Sequence, residues 1–140
     1  MLTRYFALVA GLVYLLVGII GFFPAALQPP PPGAPELTVD NLYGYLFGIF
    51  PVNVLHSLVH LALGIWGVVA YRSFPGARTY ARGLAWIYGI LAIIGVFPAL
   101  STLFGLVPLF GHVIWLHAIT ALLAAYIGYM TPDPERMGPR

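Results

Sequence analysis

The histidines are the residues of this sequence whose type and spacing best suit chemistry. The chain has four of them, His56, His60, His112 and His117. His56 and His60 stand at positions i and i+4, so on a helix they would share one face, about one turn apart. Imidazole nitrogens bind zinc and copper, and two histidines on facing helices can ligate a haem iron. The spacing therefore makes His56, His60 and His117 candidate ligands of a cofactor.

Three interpretations of these histidines are open from the sequence. In the first, His56, His60 and His117 bind a transition metal, although no carboxylate stands near them in sequence to orient a ring. In the second, His56 or His60 together with His117 holds a haem or a chlorin between two helices. In the third, there is no cofactor, and the rings form hydrogen bonds between helices, with His56 paired to a group on the fourth helix. We expect the third, because a polar group among lipid tails needs a partner and a neighbouring helix can provide one.

The residue types that are missing exclude much other chemistry. The sequence has no cysteine, so it forms no disulfide, thiolate metal site or cysteine nucleophile. It has no lysine, which excludes a Schiff-base cofactor. None of its four acidic residues lies in an apolar stretch, so a buried carboxylate relay is missing. Because no nucleophile or acid–base pair stands out, we expect a protein that is not an enzyme.

The composition is that of a membrane protein. Of the 140 residues, 61% are hydrophobic and only 7% are charged, whereas about a quarter of a soluble domain is charged. Four apolar stretches, at about 5–23, 54–71, 80–97 and 113–130, are each long enough to cross a hydrocarbon core as a helix. The sequence therefore predicts an all-α fold, an integral membrane four-helix bundle over residues 1–131, followed by a tail at 132–140.

The arginines predict how such a bundle lies in the membrane. If the four helices alternate in direction, all six arginines fall on one side, and the opposite loops, 24–53 and 98–112, contain none. Loops rich in arginine stay on the cytoplasmic side. The pattern therefore predicts a multi-pass protein of the bacterial plasma membrane, with both termini and the 132–140 tail in the cytoplasm. Six scattered arginines are also too few for a nucleic-acid surface.

The first outer loop contains a possible short helix at about 40–49. Thr38 or Asp40 can cap it, and its apolar side would be formed by Leu42, Tyr43, Leu46 and Phe47. A helix with one apolar side lies flat on a membrane surface. We therefore expect this helix at the outer surface.

The two halves of the chain look like copies of one helical hairpin. A shift of 74 residues places Arg4 and Tyr14 on Arg78 and Tyr88, and a shift of 61 places His56 on His117. Two-span units insert the same way up, so we expect a pseudo-two-fold axis along the membrane normal. Matched small residues would let the first and third helices approach closely. They are Ala7, Gly11, Gly18, Ala81, Ala85 and Ala92.

The segment from 46 to 61 carries a resemblance to a known family. It reads LFGIFPVNVLHSLVHL, and it is joined by YLLVG at 14–18 and VIWLH at 113–117. With these motifs the chain resembles the domain of unknown function 4383 family of small bacterial four-span membrane proteins. The resemblance covers about residues 4–130 and implies a four-helix topology and a plasma-membrane location. It implies no activity and no cofactor.

These observations lead to one expectation about function and one alternative. We expect a non-enzymatic accessory or scaffold subunit whose partners are the lipid bilayer and either other membrane proteins or further copies of itself. The alternative is a membrane protein that binds a metal, haem or chlorin through His56, His60 and His117. A small transporter or channel would need a continuous polar track, which the inner halves of these stretches hardly offer.

Overall fold

The computed structural model describes residues 1–132, and its fold is mostly helical. The helices are α1 (Leu2–Ile20), α2 (Val54–Ala70), α3 (Phe74–Val96) and α4 (His112–Ala125), and a π-helical turn, Tyr126–Met130, continues α4. Three short strands separate α1 from α2, and they are β1 (Leu27–Gln28), β2 (Gly44–Leu46) and β3 (Phe50–Val52). The predicted helical bundle is confirmed, with a small antiparallel sheet in addition. The predicted tail beyond residue 132 lies outside the described residues.

The exterior of the bundle is apolar. Three helical segments are long and apolar enough to cross a membrane, namely Leu2–Ile20, Phe74–Val96 and His112–Met130. The apolar α2, Val54–Ala70, is shorter. All four helices expose large apolar side chains, for example Leu16, Ile65, Ile93 and Leu122. Such an extensive apolar surface favours contact with lipid over contact with water.

The start of α3 shows how arginine can enter an apolar helix. Ser73 caps the helix, because its side chain accepts a hydrogen bond from the backbone N–H of Gly76 at 3.1 Å. α3 therefore begins at Phe74, before the apolar stretch predicted from residue 80. Arg78 and Arg82 then lie within α3, and each donates from its Nε to the carbonyl oxygen of Gly128, at 3.1 and 2.9 Å. Their charges thus meet the negative end of the last helical segment.

The helices pack chiefly as two hairpins, α1 against α2 and α3 against α4. Glycines bring α1 and α2 together, since a Cβ atom at Gly11 would lie 2.9 Å from the carbonyl oxygen of Gly64. A Cβ at Gly18 would lie 3.0 Å from the backbone nitrogen of Leu61, also in α2. The expectation that Gly11 and Gly18 face the third helix is therefore wrong. Small residues let two helices approach closely, but they do not determine which helix is the partner. In α2, glycines including Gly67 also lie at this contact and make α2 the closer neighbour.

The other small residues of the predicted set are distributed over several contacts. Ala7, Ala81 and Ala92 are buried, whereas Ala85 is half-buried. Ala7 belongs to the central apolar core with Tyr80 and Leu84 of α3. The set therefore lines helix contacts, but it does not form one ladder between α1 and α3.

The surface helix expected at about 40–49 is wrong, because this segment forms strands. β2 pairs antiparallel with both β1 and β3, with Leu27 opposite Leu46 and Gly44 opposite Val52. Strand pairing satisfies the backbone groups, and Leu46 and Val52 are buried in the process. A side chain at position 44 would collide with β1, where a Cβ would lie 2.9 Å from the carbonyl oxygen of Gln28. Gly44 and Pro51 are poor helix formers, so they favour the hairpin over a helix.

The Leu-Phe-Gly sequence occurs twice and forms the same turn twice. Phe47 and Gly48 have φ angles of 54° and 70°, and Phe104 and Gly105 have φ angles of 58° and 83°. In each turn, the residue after the glycine donates its N–H to the carbonyl oxygen of the leucine. The second turn is bound to the segment between α1 and α2, because the backbone N–H groups of Thr38 and Val39 both donate to the carbonyl oxygen of Gly105. The symmetry relation between the complete hairpins stays a prediction.

Candidate functional site

Asn53 determines where α2 begins and therefore where His56 and His60 lie. It is wholly buried at the N-terminus of α2. Its Oδ1 accepts a hydrogen bond from the backbone N–H of His56 at 3.0 Å. Its Nδ2 donates to the carbonyl oxygens of Val39 and Leu106, at 2.9 and 2.7 Å. One side chain thus caps the helix and binds to it the loop before α2 and the loop between α3 and α4.

Three of the four histidines meet inside the bundle. The ring centroids of His56 and His60 are 4.4 Å apart, and those of His56 and His117 are 6.2 Å apart. Two tyrosines complete the group, since Tyr88 lies 4.9 Å from His117 and Tyr14 lies 5.4 Å from His60. We call these five residues the polar cluster. It joins all four helices, because α1 provides Tyr14, α2 two histidines, α3 Tyr88 and α4 His117.

The polar cluster contains hydrogen-bonding atoms without partners. The Nδ1 atoms of His56, His60 and His117 are buried and have no hydrogen-bond partner within residues 1–132. The Nδ1 atom of His56 forms no hydrogen bond to the fourth helix within residues 1–132, and the pairing of His56 with that helix stays a prediction. An unpaired polar atom in an apolar interior costs about 1–3 kcal/mol. Three such atoms close together suggest that the cluster has a further partner.

The described histidines do not form a ready metal site. Over residues 1–132, no group of three or more His, Cys, Asp or Glu side chains is placed to hold a metal ion. The rings of His56 and His60 instead meet edge to face, at an interplanar angle of 63°. A metal held by the candidate ligands His56, His60 and His117 would require these rings to reorient.

His112 stands apart from the polar cluster. It is exposed at the start of α4, and its Nδ1 accepts a hydrogen bond from the indole Nε1 of Trp115 at 2.8 Å. It therefore has a local partner at the surface. This difference makes His112 a natural control for experiments on the buried histidines.

Two cavities meet at the polar cluster. The larger, of about 590 Å³, lies between α1 and α4, and the smaller, of about 250 Å³, lies against α2 and α3. His56, His60, Tyr88 and His117 line both cavities. The cluster thus forms a polar partition between two apolar spaces.

The sequence from residue 4 to residue 130 matches the family model described as Domain of unknown function (DUF4383). The chain belongs to this family. The matched region contains the complete polar cluster and Asn53. No curated protein and no solved structure matches the chain significantly.

In this member of the DUF4383 family, sequence reasoning found the three buried histidines but missed the tyrosines of the site. Tyr14 and Tyr88 stack, with centroids 5.6 Å apart and an interplanar angle of 11°. A signal was available, because the shift of 74 residues superimposes Tyr14 on Tyr88 just as the other shift superimposes His56 on His117. Both matched pairs meet in the polar cluster.

Proposed function

We propose that this chain is a non-enzymatic protein of the bacterial plasma membrane that crosses the bilayer four times, with both termini in the cytoplasm. The apolar exterior supports the membrane location. α2 has 17 residues, and a span of about 17–25 residues is sufficient for a bilayer. The arginines support the orientation, since Arg4, Arg78 and Arg82 all bind carbonyl oxygens at the same end of the bundle. Positive charge of this kind is retained on the cytoplasmic side.

We infer further that the polar cluster holds a small ligand within the membrane. The observation that carries this proposal is the set of three buried Nδ1 atoms without partners in the described structure. Water is scarce in the hydrocarbon core, so a bound molecule is a natural source of the missing hydrogen bonds. In this role the chain would be an accessory or scaffold subunit of a larger membrane complex or a homo-oligomer. Its partners would be lipids and membrane proteins, not nucleic acids.

A second candidate is a protein that binds a transition metal, a haem or a chlorin. One observation favours it, because His56 and His117 approach each other from different helices. His60 would provide a further ligand. The two candidates use the same side chains but differ in the bound species, so one preparation can distinguish them.

The test is to identify what stays bound after gentle purification. The chain and its His60→Ala, His117→Ala and His112→Ala variants would be purified in mild detergent, and each analysed by mass spectrometry of an organic extract, visible absorption and metal analysis. We expect one organic ligand in near-stoichiometric amount in the native chain and in His112→Ala, and its loss from the other two variants. A chromophore or a metal would establish the second candidate instead. A folded native chain without any bound species would contradict both.

The subunit role has a separate test. Native mass spectrometry of the same preparation would show whether the chain is released with other membrane proteins or as an oligomer. We expect a defined assembly. A lone monomer under these conditions would contradict the accessory or scaffold role.

A further inference from the structure

The larger cavity is a cleft that opens sideways between α1 and α4. These two helices scarcely contact each other along their length and meet where the π turn reaches α1. The α1 wall is formed by Val9, Val13 and Val17, and the α4 wall includes Ile119 and Leu123. In the proposed membrane orientation, this opening faces the lipid tails. A ligand could therefore enter from the bilayer without passing through water.

Both ends of the cleft are covered by protein. Leu46 and Phe50 of the sheet line it at the outer end. At the inner end, the hydroxyl groups of Thr3 and Thr131 are 3.0 Å apart and hydrogen-bonded, so they join α1 to the chain after the π turn. The cleft thus runs as a slot along the bundle, with the sheet at one end and the start of α1 at the other, and it opens to the side.

The polar cluster forms the inner wall of this slot. His56 and His117 are 6% and 3% exposed, and Tyr88 is 2% exposed, yet all three line the cleft. The Nδ1 atoms of His56 and His117 have no hydrogen-bond partner within residues 1–132. A neutral imidazole has one nitrogen that donates and one that accepts, and a tyrosine hydroxyl also donates. This wall can therefore bind carbonyl or hydroxyl oxygens.

The charge and shape of the site restrict the ligand. No charged side chain among residues 1–132 lines the cleft, so a charged head group would lack a counter-ion and is disfavoured. Tyr14 and Tyr88, whose rings stack, both line the cleft, and aromatic side chains pack favourably against another flat ring. The volume of about 590 Å³ lies in the usual range of ligand sites, about 300–1,000 Å³.

We propose that this cleft binds a neutral, membrane-soluble molecule with a flat ring that carries carbonyl oxygens and an apolar chain, which is the chemistry of a membrane quinone. The ring lies against the polar cluster, where its oxygens accept hydrogen bonds, and the chain lies along the valines of α1. This proposal rests on the ligand-binding role given above and specifies the ligand class and its route. It describes binding only and requires no electron transfer.

The test uses the purified chain in lipid nanodiscs and three probes with the same chain length, decylubiquinone, 1-decanol and decane. Bound probe would be measured by extraction and chromatography, with empty nanodiscs as the blank. We expect saturable binding of decylubiquinone, binding of 1-decanol weaker by about tenfold or more, and no saturable binding of decane. Equal affinity for decylubiquinone and 1-decanol would overturn the flat-ring assignment. No saturable binding of any probe would overturn the complete proposal.

Adjacent residues of α1 provide a matched pair of variants. Val13 and Leu12 are 51% and 53% exposed, but only Val13 lines the cleft. Val13→Trp should obstruct the slot and weaken decylubiquinone binding about tenfold or more, whereas Leu12→Trp should bind as the native chain does. Equal binding by the two variants would overturn the location. If Val13→Trp does not fold, the pair Ile119→Trp and Leu122→Trp serves instead, since only Ile119 lines the cleft.

The two levels of the proposal fail in different ways. If purification reveals another organic ligand that the histidine variants lose, and decylubiquinone does not bind, the quinone assignment is wrong and the ligand-binding role stands. If His60→Ala and His117→Ala bind decylubiquinone as tightly as His112→Ala, the polar cluster does not bind the quinone and the quinone assignment is wrong. If the native chain is also purified folded and without any bound species, the ligand-binding role is wrong as well.

Discussion

At the scale of single residues, Asn53 and the clustered histidines differ in whether their polar atoms have hydrogen-bond partners. Every hydrogen-bonding atom of the Asn53 amide has an evident use, since Oδ1 caps α2 and Nδ2 binds two carbonyl oxygens from different loops. His56 and His60 follow within two turns of the same helix, His56 buried and His60 half-buried, but their Nδ1 atoms have no partner in the described part of the chain. We interpret Asn53 as a structural residue and the histidines as residues kept for binding.

The structural role of Asn53 predicts a large loss on substitution. Asn53→Ala removes the helix cap and leaves the carbonyl oxygens of Val39 and Leu106 unpaired, so the free energy of unfolding should fall by about 2–4 kcal/mol. Ser73→Ala, at the exposed cap of α3, is the control and should cost about 1 kcal/mol. Chemical denaturation in detergent would measure both. Similar losses in the two variants would contradict the role given to the Nδ2 donors.

The binding role of the histidines predicts that substitution should not lower the stability of the ligand-free chain. His117→Phe replaces an imidazole that has no hydrogen-bond partner for its Nδ1 by an apolar ring of similar shape, which relieves the unpaired atom. In chain stripped of ligand, we expect thermal stability that is unchanged or higher, together with loss of ligand binding. Melting curves of the stripped chain and the variant would test this. A clear loss of stability would show that His117 is held by a hydrogen bond within the protein.

At the scale of elements, the glycines decide which helices touch. Gly11, Gly64 and Gly67 let the backbones of α1 and α2 approach so closely that any Cβ atom there would collide. In lipid, apolar side chains gain little by leaving the surroundings, so close van der Waals packing is a main source of helix association. The α1–α2 hairpin therefore depends on residues without side chains.

A pair of glycine variants tests this account. A Cβ at Gly11 would lie 2.7 Å from the backbone nitrogen of Val68, whereas a Cβ at Gly89 in α3 would meet only Ala121, at 3.9 Å. Gly11→Ala should therefore destabilise the fold by about 1–3 kcal/mol. Gly89→Ala should stabilise it by about 0.5–1 kcal/mol, because alanine is the better helix former. If unfolding of the two variants shows no difference, the close contact is not important for stability.

At the scale of the whole molecule, the arginines and the connecting loops distinguish the two ends of the bundle. Arg4, Arg78 and Arg82 bind the carbonyl oxygens of Tyr71 and Gly128 at one end. At the other end, Asn53 and Gly105 connect the segment between α1 and α2 to the loop between α3 and α4. One end of the bundle thus concentrates positive charge. At the other end, hydrogen bonds to backbone carbonyl oxygens hold the loops together.

This difference predicts the topology, and the absence of native cysteine makes the test simple. Single cysteines would be placed at the exposed positions 99 and 73 through Ala99→Cys and Ser73→Cys. In intact cells, an impermeant maleimide should label Ala99→Cys and should reach Ser73→Cys only after the membrane is permeabilised. Labelling of Ser73→Cys in intact cells, with Ala99→Cys protected, would reverse the proposed orientation.

Part of the site could be predicted from the sequence, and part could not. The spacing of His56 and His60 on one helix face depends only on local geometry, and the match of His56 with His117 made the two joint candidates for one site. The tyrosines were missed because aromatic residues are common in apolar helices and nothing local marks them. The helix expected at 40–49 was wrong because its apolar spacing suited a helix, while the pairing with β1, distant in sequence, favoured strands.

The sequence by itself determined the apolar character of the chain's surface, its four apolar helices and the end at which its arginines gather. These properties are sums over residues that are neighbours along the chain, so they can be read from composition and spacing. Only the tertiary structure decided that Gly11 meets α2, that three histidines and two tyrosines share one cluster, and that α1 and α4 leave a cleft. These depend on which helix surfaces fit together, and that choice involves backbone contacts between residues far apart in sequence.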